Sequence, residues 1–171
     1  NIDVKVVYAS SSSVYGNVEK IPILENSPKN PINPYGKTKL DAEILAEKFF
    51  SNGTQIIGLR YFNVYGIGQT GSYAGVITKF MNALSSKKPP IIFGTGSQIR
   101  DFIFVKDVAQ ANLSVMNSTL KSGFLNVGTG KTISIDELAK LMINLYDLNI
   151  LPEYHNSLPG DVQHSQANTT Q

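Results

Sequence analysis

Cysteine is absent from this 171-residue chain, which rules out a disulfide framework and cysteine-ligated zinc. Histidine is scarce: His155 and His164 are the two present, and neither lies in metal-binding spacing, so no metal site is expected. No apolar run has the length of a membrane-crossing helix, and no charged-then-apolar leader opens the sequence. The expectation is a soluble, cytoplasmic protein that meets no membrane. An excess of one charge is also missing. The net charge is +2, with the basic residues scattered apart from Lys87-Lys88, so no footprint for nucleic acid is present, while a phosphorylated small molecule remains within reach. An initiator methionine is lacking too. Asn1 leads within a few residues into the apolar run Val4–Ala9, the opening expected of a piece of a longer protein.

What is present suits an ordinary globular protein: 42% hydrophobic and 16% charged residues, enough for one well-buried domain. Residues 4–9 are rich in β-branched side chains, as in a strand buried on both faces of a parallel sheet. Four serines and Val14-Tyr15-Gly16 follow. In open parallel sheets the C-terminal strand edge is where ligands bind, so these hydroxyls are placed to act as donors, although taken without Tyr35 and Lys39 turn chemistry alone is the favoured explanation of the serines. Beyond a proline-punctuated loop, Pro34 opens a helix. Its Ala42, Leu45, Ala46 and Phe49 recur at helical spacing, predicting a core-facing stripe, and Gly53 closes it. Tyr35 and Lys39 share one face of that helix at i, i+4. On spacing alone they are a functional pair or an exposed aromatic beside an exposed lysine.

Gln55–Arg60 reads as a second buried strand, completing a βαβ unit and hence an α/β fold. Gly66, Gly68 and Gly71 mark a loop, and Ile77, Phe80, Met81 and Leu84 a helix ended by Pro89-Pro90. Ile91–Gly96 resembles a phosphate loop only superficially, because no Gly-x-Gly-x-x-Gly opens a helix there. Residues 99–105 predict one short strand beginning with Arg100 and Asp101. Arg100 is either an anion clamp or one half of a surface Arg-Asp pair. Val108, Ala111, Asn112 and Val115 predict a helix, and Phe124–Gly128 a strand. Ser134 and Glu137 have capping-box spacing, leading into a helix with the stripe Leu138, Leu141, Met142 and Leu145. Residues 149–171 are expected to be irregular.

Taken together, the segments Ser10–Gly16, Pro34-Tyr35-Gly36-Lys37-Thr38-Lys39, Leu59-Arg60-Tyr61-Phe62-Asn63, Arg100-Asp101-Phe102, Asn126-Val127-Gly128 and Pro159-Gly160-Asp161 resemble the nucleotide-sugar epimerase and dehydratase branch of the extended short-chain dehydrogenases. The resemblance implies a truncated Rossmann-like parallel sheet, the C-terminal half of such a domain, plus a small α/β substrate-binding portion. Residues 1–66 would belong to the NAD-binding domain and residues 67–171 mainly to the nucleotide-sugar-binding portion, with 99–130 partly returning to the sheet. It also implies NAD as cofactor, a nucleotide-sugar substrate and a homodimer formed through the Tyr35 helix. Tyr35 would take the proton of a sugar hydroxyl. Phenols titrate near ~10, and Lys39, with the positive nicotinamide, would favour the phenolate while holding the nicotinamide ribose. Ser11 would hydrogen-bond the same sugar oxygen. Phe62 falls where the backbone approaches the nicotinamide, and Asn63, Phe93 and Arg100 fall among the substrate contacts.

Two departures sharpen this expectation. Dehydratases of the branch carry an Asp-Glu pair before Val-Tyr-Gly, where this chain has Ser12-Ser13, which favours 4-epimerisation of a UDP-glucose-like or N-acetylated substrate over elimination. Leu158 stands where the branch has an arginine. The glycine-rich turn that binds the NAD pyrophosphate is not among these residues, so the isolated chain is expected to be inactive. Another short-chain dehydrogenase chemistry on nucleotide sugars, reductase or decarboxylase, and a noncatalytic relative are the alternatives.

Overall fold

A computed structural model of the chain describes residues 4–50, 52–69 and 75–170. Its elements are β1 (Lys5–Ser11), α1 (Pro34–Phe50), β2 (Gln55–Tyr61), β3 (Asn63–Tyr65), α2 (Val76–Ser85), β4 (Ile91–Phe93), β5 (Ile99–Arg100), β6 (Phe102–Phe104), α3 (Val105–Met116), β7 (Gly123–Val127), β8 (Ile133–Ser134), α4 (Ile135–Leu145) and β9 (Glu153–His155). A single 3-10 turn, Ser12–Val14, follows β1. The fold is α/β, as the βαβ pattern predicts.

β1, β2 and β7 form a parallel sheet in that order. The register Ser11↔Tyr61↔Val127 aligns their C-terminal ends, so the loops leaving all three emerge on one side. Side chains alternate across a strand, and β2 shows both faces. Ile57 and Leu59 join Ile103, Val108 and Val127 in an apolar cluster covered by α3. Arg60 points the other way, toward α1. Among the described residues β1 pairs with β2 alone, and Val4 and Val6 are exposed, so these residues do not by themselves cover 4–9 on both faces as expected.

A second core lies between α2, α4 and β4, where Phe80, Leu84 and Ile92 meet Ile135, Leu138, Ala139, Met142 and Ile143. The predicted capping box is formed in full: the Ser134 side chain accepts from Glu137 N, and the Glu137 carboxylate accepts from Ser134 N.

Several expectations need correction, and each has a physical reason. In α1 the residues turned inward are Gly36, Glu43 and Ala46, while Leu45 and Phe49 are exposed. Arg60 on β2 needs a carboxylate, and the helix rotates to supply Glu43. In α4 the buried stripe starts at Ile135 and leaves Leu141 and Leu145 outside; in α2, Met81 is exposed. Residues 99–105 are two strands, not one. β5 pairs antiparallel with β8 and β6 pairs parallel with β3. The break is at Asp101, which is fully buried and accepts from Thr129 N and Oγ1, Gly130 N and Ala167 N. Residues 149–170 are not simply irregular: β9 pairs with β4, and Ala167 bridges Ile23 and is buried. Gly71 lies outside the described residues.

Candidate functional site

The residues singled out from sequence fall into two neighbouring groups. The first lies at the end of the parallel sheet. Ser11, the last residue of β1, is buried, and its Oγ accepts from Ser13 N at 3.2 Å and donates to Ser13 Oγ at 3.1 Å. Tyr35 is 55% exposed in the first turn of α1, with the Lys39 ammonium 5.6 Å from its ring centroid. Lys39 Nζ donates to Ala9 O at 3.0 Å, which ties the lysine to the strand that carries Ser11. Asn33 caps the helix, its Oδ1 accepting from Gly36 N at 2.8 Å.

Gly36 allows the helix start to sit on the serine turn. A Cβ there would lie 2.5 Å from Ser13 O, too close for any other residue to fit without moving one of the two. Among the described residues no hydrogen bond joins Ser11 to Tyr35; their relation is set by this packing. The Phe62 side chain is buried with Val14, Tyr15, Ile23 and Ala167, and its N–H donates to Val127 O.

The second group lines a cleft of about 280 Å³ between β3, α2, β4 and the β5 strand, where Asn63, Phe93 and Arg100 come together. Arg100 pairs with Asp161 at 2.6 Å and also donates to its own chain at Ile99 O. Burial holds the Arg100 guanidinium below its ordinary pKa, with Asp161 pulling the other way. Its partner is thus Asp161, not the adjacent Asp101, which excludes a surface Arg100-Asp101 pair. Asn63 donates to Asp101 O and Ser165 Oγ. Phe93 stands edge-on to His155, with centroids 5.9 Å apart.

A second cleft of about 190 Å³ shares Asn63, Arg100 and Asp161 with the first and is otherwise lined mainly by polar groups, including Ser12, Ser13, Asn33, His164 and Ser165. The two spaces therefore share a wall, Asn63, Arg100 and Asp161, and the second reaches Asn33, the cap of the helix that carries Tyr35.

Reading the sequence missed Asn33, Gln98 and Lys79. Gln98 is buried and donates to Phe93 O at 2.7 Å, fixing the strand end that presents the phenyl ring. Only Asn33, an Asn three residues before Gly36, carried a local signal, that of a helix cap. Leu158 lines the larger cleft and is half exposed. Among the described residues no cluster of three His, Asp or Glu could hold a metal ion, and no helix is long and apolar enough to cross a membrane.

Residues 1–128 match the NAD dependent epimerase/dehydratase family. The chain belongs to this family. A UDP-glucose 4-epimerase of Azospirillum brasilense is 35% identical over 92% of this chain and 50% of its own length. The structure of a UDP-N-acetylglucosamine 4-epimerase from Methanobrevibacter ruminantium M1, in complex with UDP-N-acetylmuramic acid, superposes with a TM-score of 0.91 at 36% identity, covering 97% of this chain and 54% of that one. A UDP-glucose 4-epimerase of Thermotoga maritima with UDP-glucose gives the same TM-score at 34% identity, covering 97% and 55%. The chain thus spans about half the length of the family members it matches. That relation makes the three-stranded sheet part of a Rossmann-like fold.

Proposed function

We propose that this chain carries the catalytic and substrate-binding part of an NAD-dependent nucleotide-sugar 4-epimerase. The observation that carries this reading is the adjacency of the two clefts, which share Asn63, Arg100 and Asp161 as a common wall. An apolar slot beside Phe93, a guanidinium, and a hydroxyl-lined space follow one another toward the Tyr35 helix, the order of base, diphosphate and sugar in a nucleotide sugar. Residues 1–66, with β7, form the cofactor side, and residues 67–171 mainly the substrate side.

The groups present fit NAD. Lys39 spends one donor on Ala9 O and keeps two for ribose hydroxyls, and Tyr35 stands exposed beside it. When bound, NAD supplies the hydride acceptor and donor. Tyr35 removes the proton of the C4 hydroxyl, a transfer assisted by the Lys39 ammonium, and Ser11 hydrogen-bonds the same oxygen; the proton returns by the same route after the sugar has turned over. Ser12 and Ser13 line the polar cleft and, unlike an Asp-Glu pair, offer no acid and base of their own for expelling a hydroxyl, which favours epimerisation over elimination. Ile44, Leu45 and Phe49 form an exposed apolar face on α1, which supports a homodimer through that helix. With no pyrophosphate-binding glycine turn in these 171 residues, turnover is expected of the protein with a cofactor-binding half and not of this chain alone.

The test is interconversion of UDP-glucose and UDP-galactose, or of their N-acetylated analogues, by the protein with that half in place. Tyr35→Phe should lower kcat by about 100-fold or more with stability unchanged. Unchanged turnover in the variant, or none in the parent, overturns the assignment.

A further inference from the structure

The charged side chains lining the larger cleft are Lys79, Arg100 and Asp161. Arg100 and Asp161 are in contact at 2.6 Å, so their charges largely cancel for a ligand beyond them. The net charge of the cleft therefore rests on Lys79. Lys79 lies one turn from the N-terminus of α2, its amide bonded to Gly75 O. There the helix dipole opposes a cation. The first turn of α2 holds no acidic residue and its cap offers no side-chain bond. Among the described residues Lys79 has no ion-pair partner. Gly75 and Val76 line the same cleft, so an anion placed there would meet the lysine and the favourable end of the helix together. Leu158 also lines the cleft, and among the described residues the lining holds no further cation.

We propose that Lys79 is the second phosphate-binding cation of this cleft: it and Arg100 together grip the diphosphate of a nucleoside-diphosphate ligand, Lys79 supplying the uncompensated charge. This rests on the nucleotide-sugar reading above. A diphosphate diester carries two negative charges, and a cleft whose guanidinium is already matched by Asp161 needs another positive group to hold it.

Calorimetric titration of the protein with UDP and with uridine tests it. Lys79→Ala should weaken UDP binding about three- to tenfold, as suits an exposed charge contact, and Lys79→Glu should weaken it further. Lys79→Arg should retain most of the affinity, and uridine should bind all four proteins alike. The salt dependence of UDP binding should flatten in Lys79→Ala. Equal UDP affinity in Lys79→Ala and the parent would make Lys79 a solvated surface residue and overturn the proposal. A parallel loss of uridine and UDP would overturn it by making the side chain a packing element. A parent protein that binds neither ligand defeats the nucleotide reading itself, and this inference with it.

Discussion

Two arginine–carboxylate pairs, alike in contact distance, do opposite work in this molecule. Arg60 and Glu43 meet at 2.7 Å and are each 1% exposed; Arg100 and Asp161 meet at 2.6 Å at 11% and 31%. Arg60 is closed. Its Nε and Nη2 engage Glu43, and Nη1 donates to Tyr15 Oη and Glu25 O. Tyr15 passes the chain on to Asn126 Oδ1, and Asn126 Nδ2 donates to Ile23 O. Burial alone would lower the Arg60 guanidinium, yet the bonds from Glu43 and Tyr15 outweigh it and raise its pKa above the ordinary value. Arg100 is open. It uses two of its five N–H donors, burial prevails, and its pKa falls. The lesson is that a guanidinium with four of its five donors spent is a strut joining α1, β2 and β7, whereas one with donors in hand beside a cleft is a binding group.

The largest test of that contrast is Arg60→Ala. It leaves the Glu43 carboxylate buried without a cation, at a cost of about 3–5 kcal/mol, read as a lowered urea midpoint with unchanged slope. A loss under about 1 kcal/mol would mean that water reaches Glu43 and the cluster is not closed. Arg100→Gln should do the reverse. Asp161, partly exposed, can be solvated once alone, so stability should change by under about 1 kcal/mol, while UDP affinity should fall by an order of magnitude or more as a charged hydrogen bond is lost. If Arg100→Gln instead unfolds the protein and binding by the folded remainder is intact, the two arginines are the same kind of strut.

The same contrast explains what could be read from the residues in order. Local chemistry was legible: the βαβ unit, the Ser134–Glu137 capping box, and Tyr35 and Lys39 on one helix face all rest on spacings of a few residues. The segments that carry the family resemblance were legible as well, but four of the six supply residues of the frame. Tyr15, Arg60 and Asn126, from three different segments, are one buried network, and Asp101 is a hub for the turn after β7 and for Ala167. Those roles depend on partners 17 to 111 residues apart, which no periodicity reports. That is why Leu45 and Phe49 were expected inside and Glu43 was not. A hydrophobic pattern predicts burial by apolarity alone, whereas the rotation of α1 is set by the charge on β2. Lys79 escaped for a related reason, since an isolated lysine in a helix has no meaning until the cleft beside it is known to hold a neutralised arginine.

The smallest effect concerns the edge of the closed cluster. Tyr8 Oη is buried with no hydrogen-bond partner, packed over Gly58, where an added Cβ would stand 2.9 Å from it. Its pKa is pushed up to about 12, by burial first and then by Glu43. A phenol raised in the folded state stabilises fully below the ordinary value near ~10 and loses that contribution as pH rises through about 12. Tyr8→Phe removes an unsatisfied hydroxyl and keeps the ring, so it should stabilise the protein at neutral pH by up to about 1 kcal/mol. It should also flatten the loss of stability between about pH 10 and 12, leaving the part that belongs to Tyr15, whose pKa burial also raises. Thermal melts of both proteins across that range decide the matter. Destabilisation by Tyr8→Phe at pH 7, with identical alkaline slopes, would show that the hydroxyl has a partner and that the cluster around Arg60 extends one residue further than its hydrogen bonds indicate.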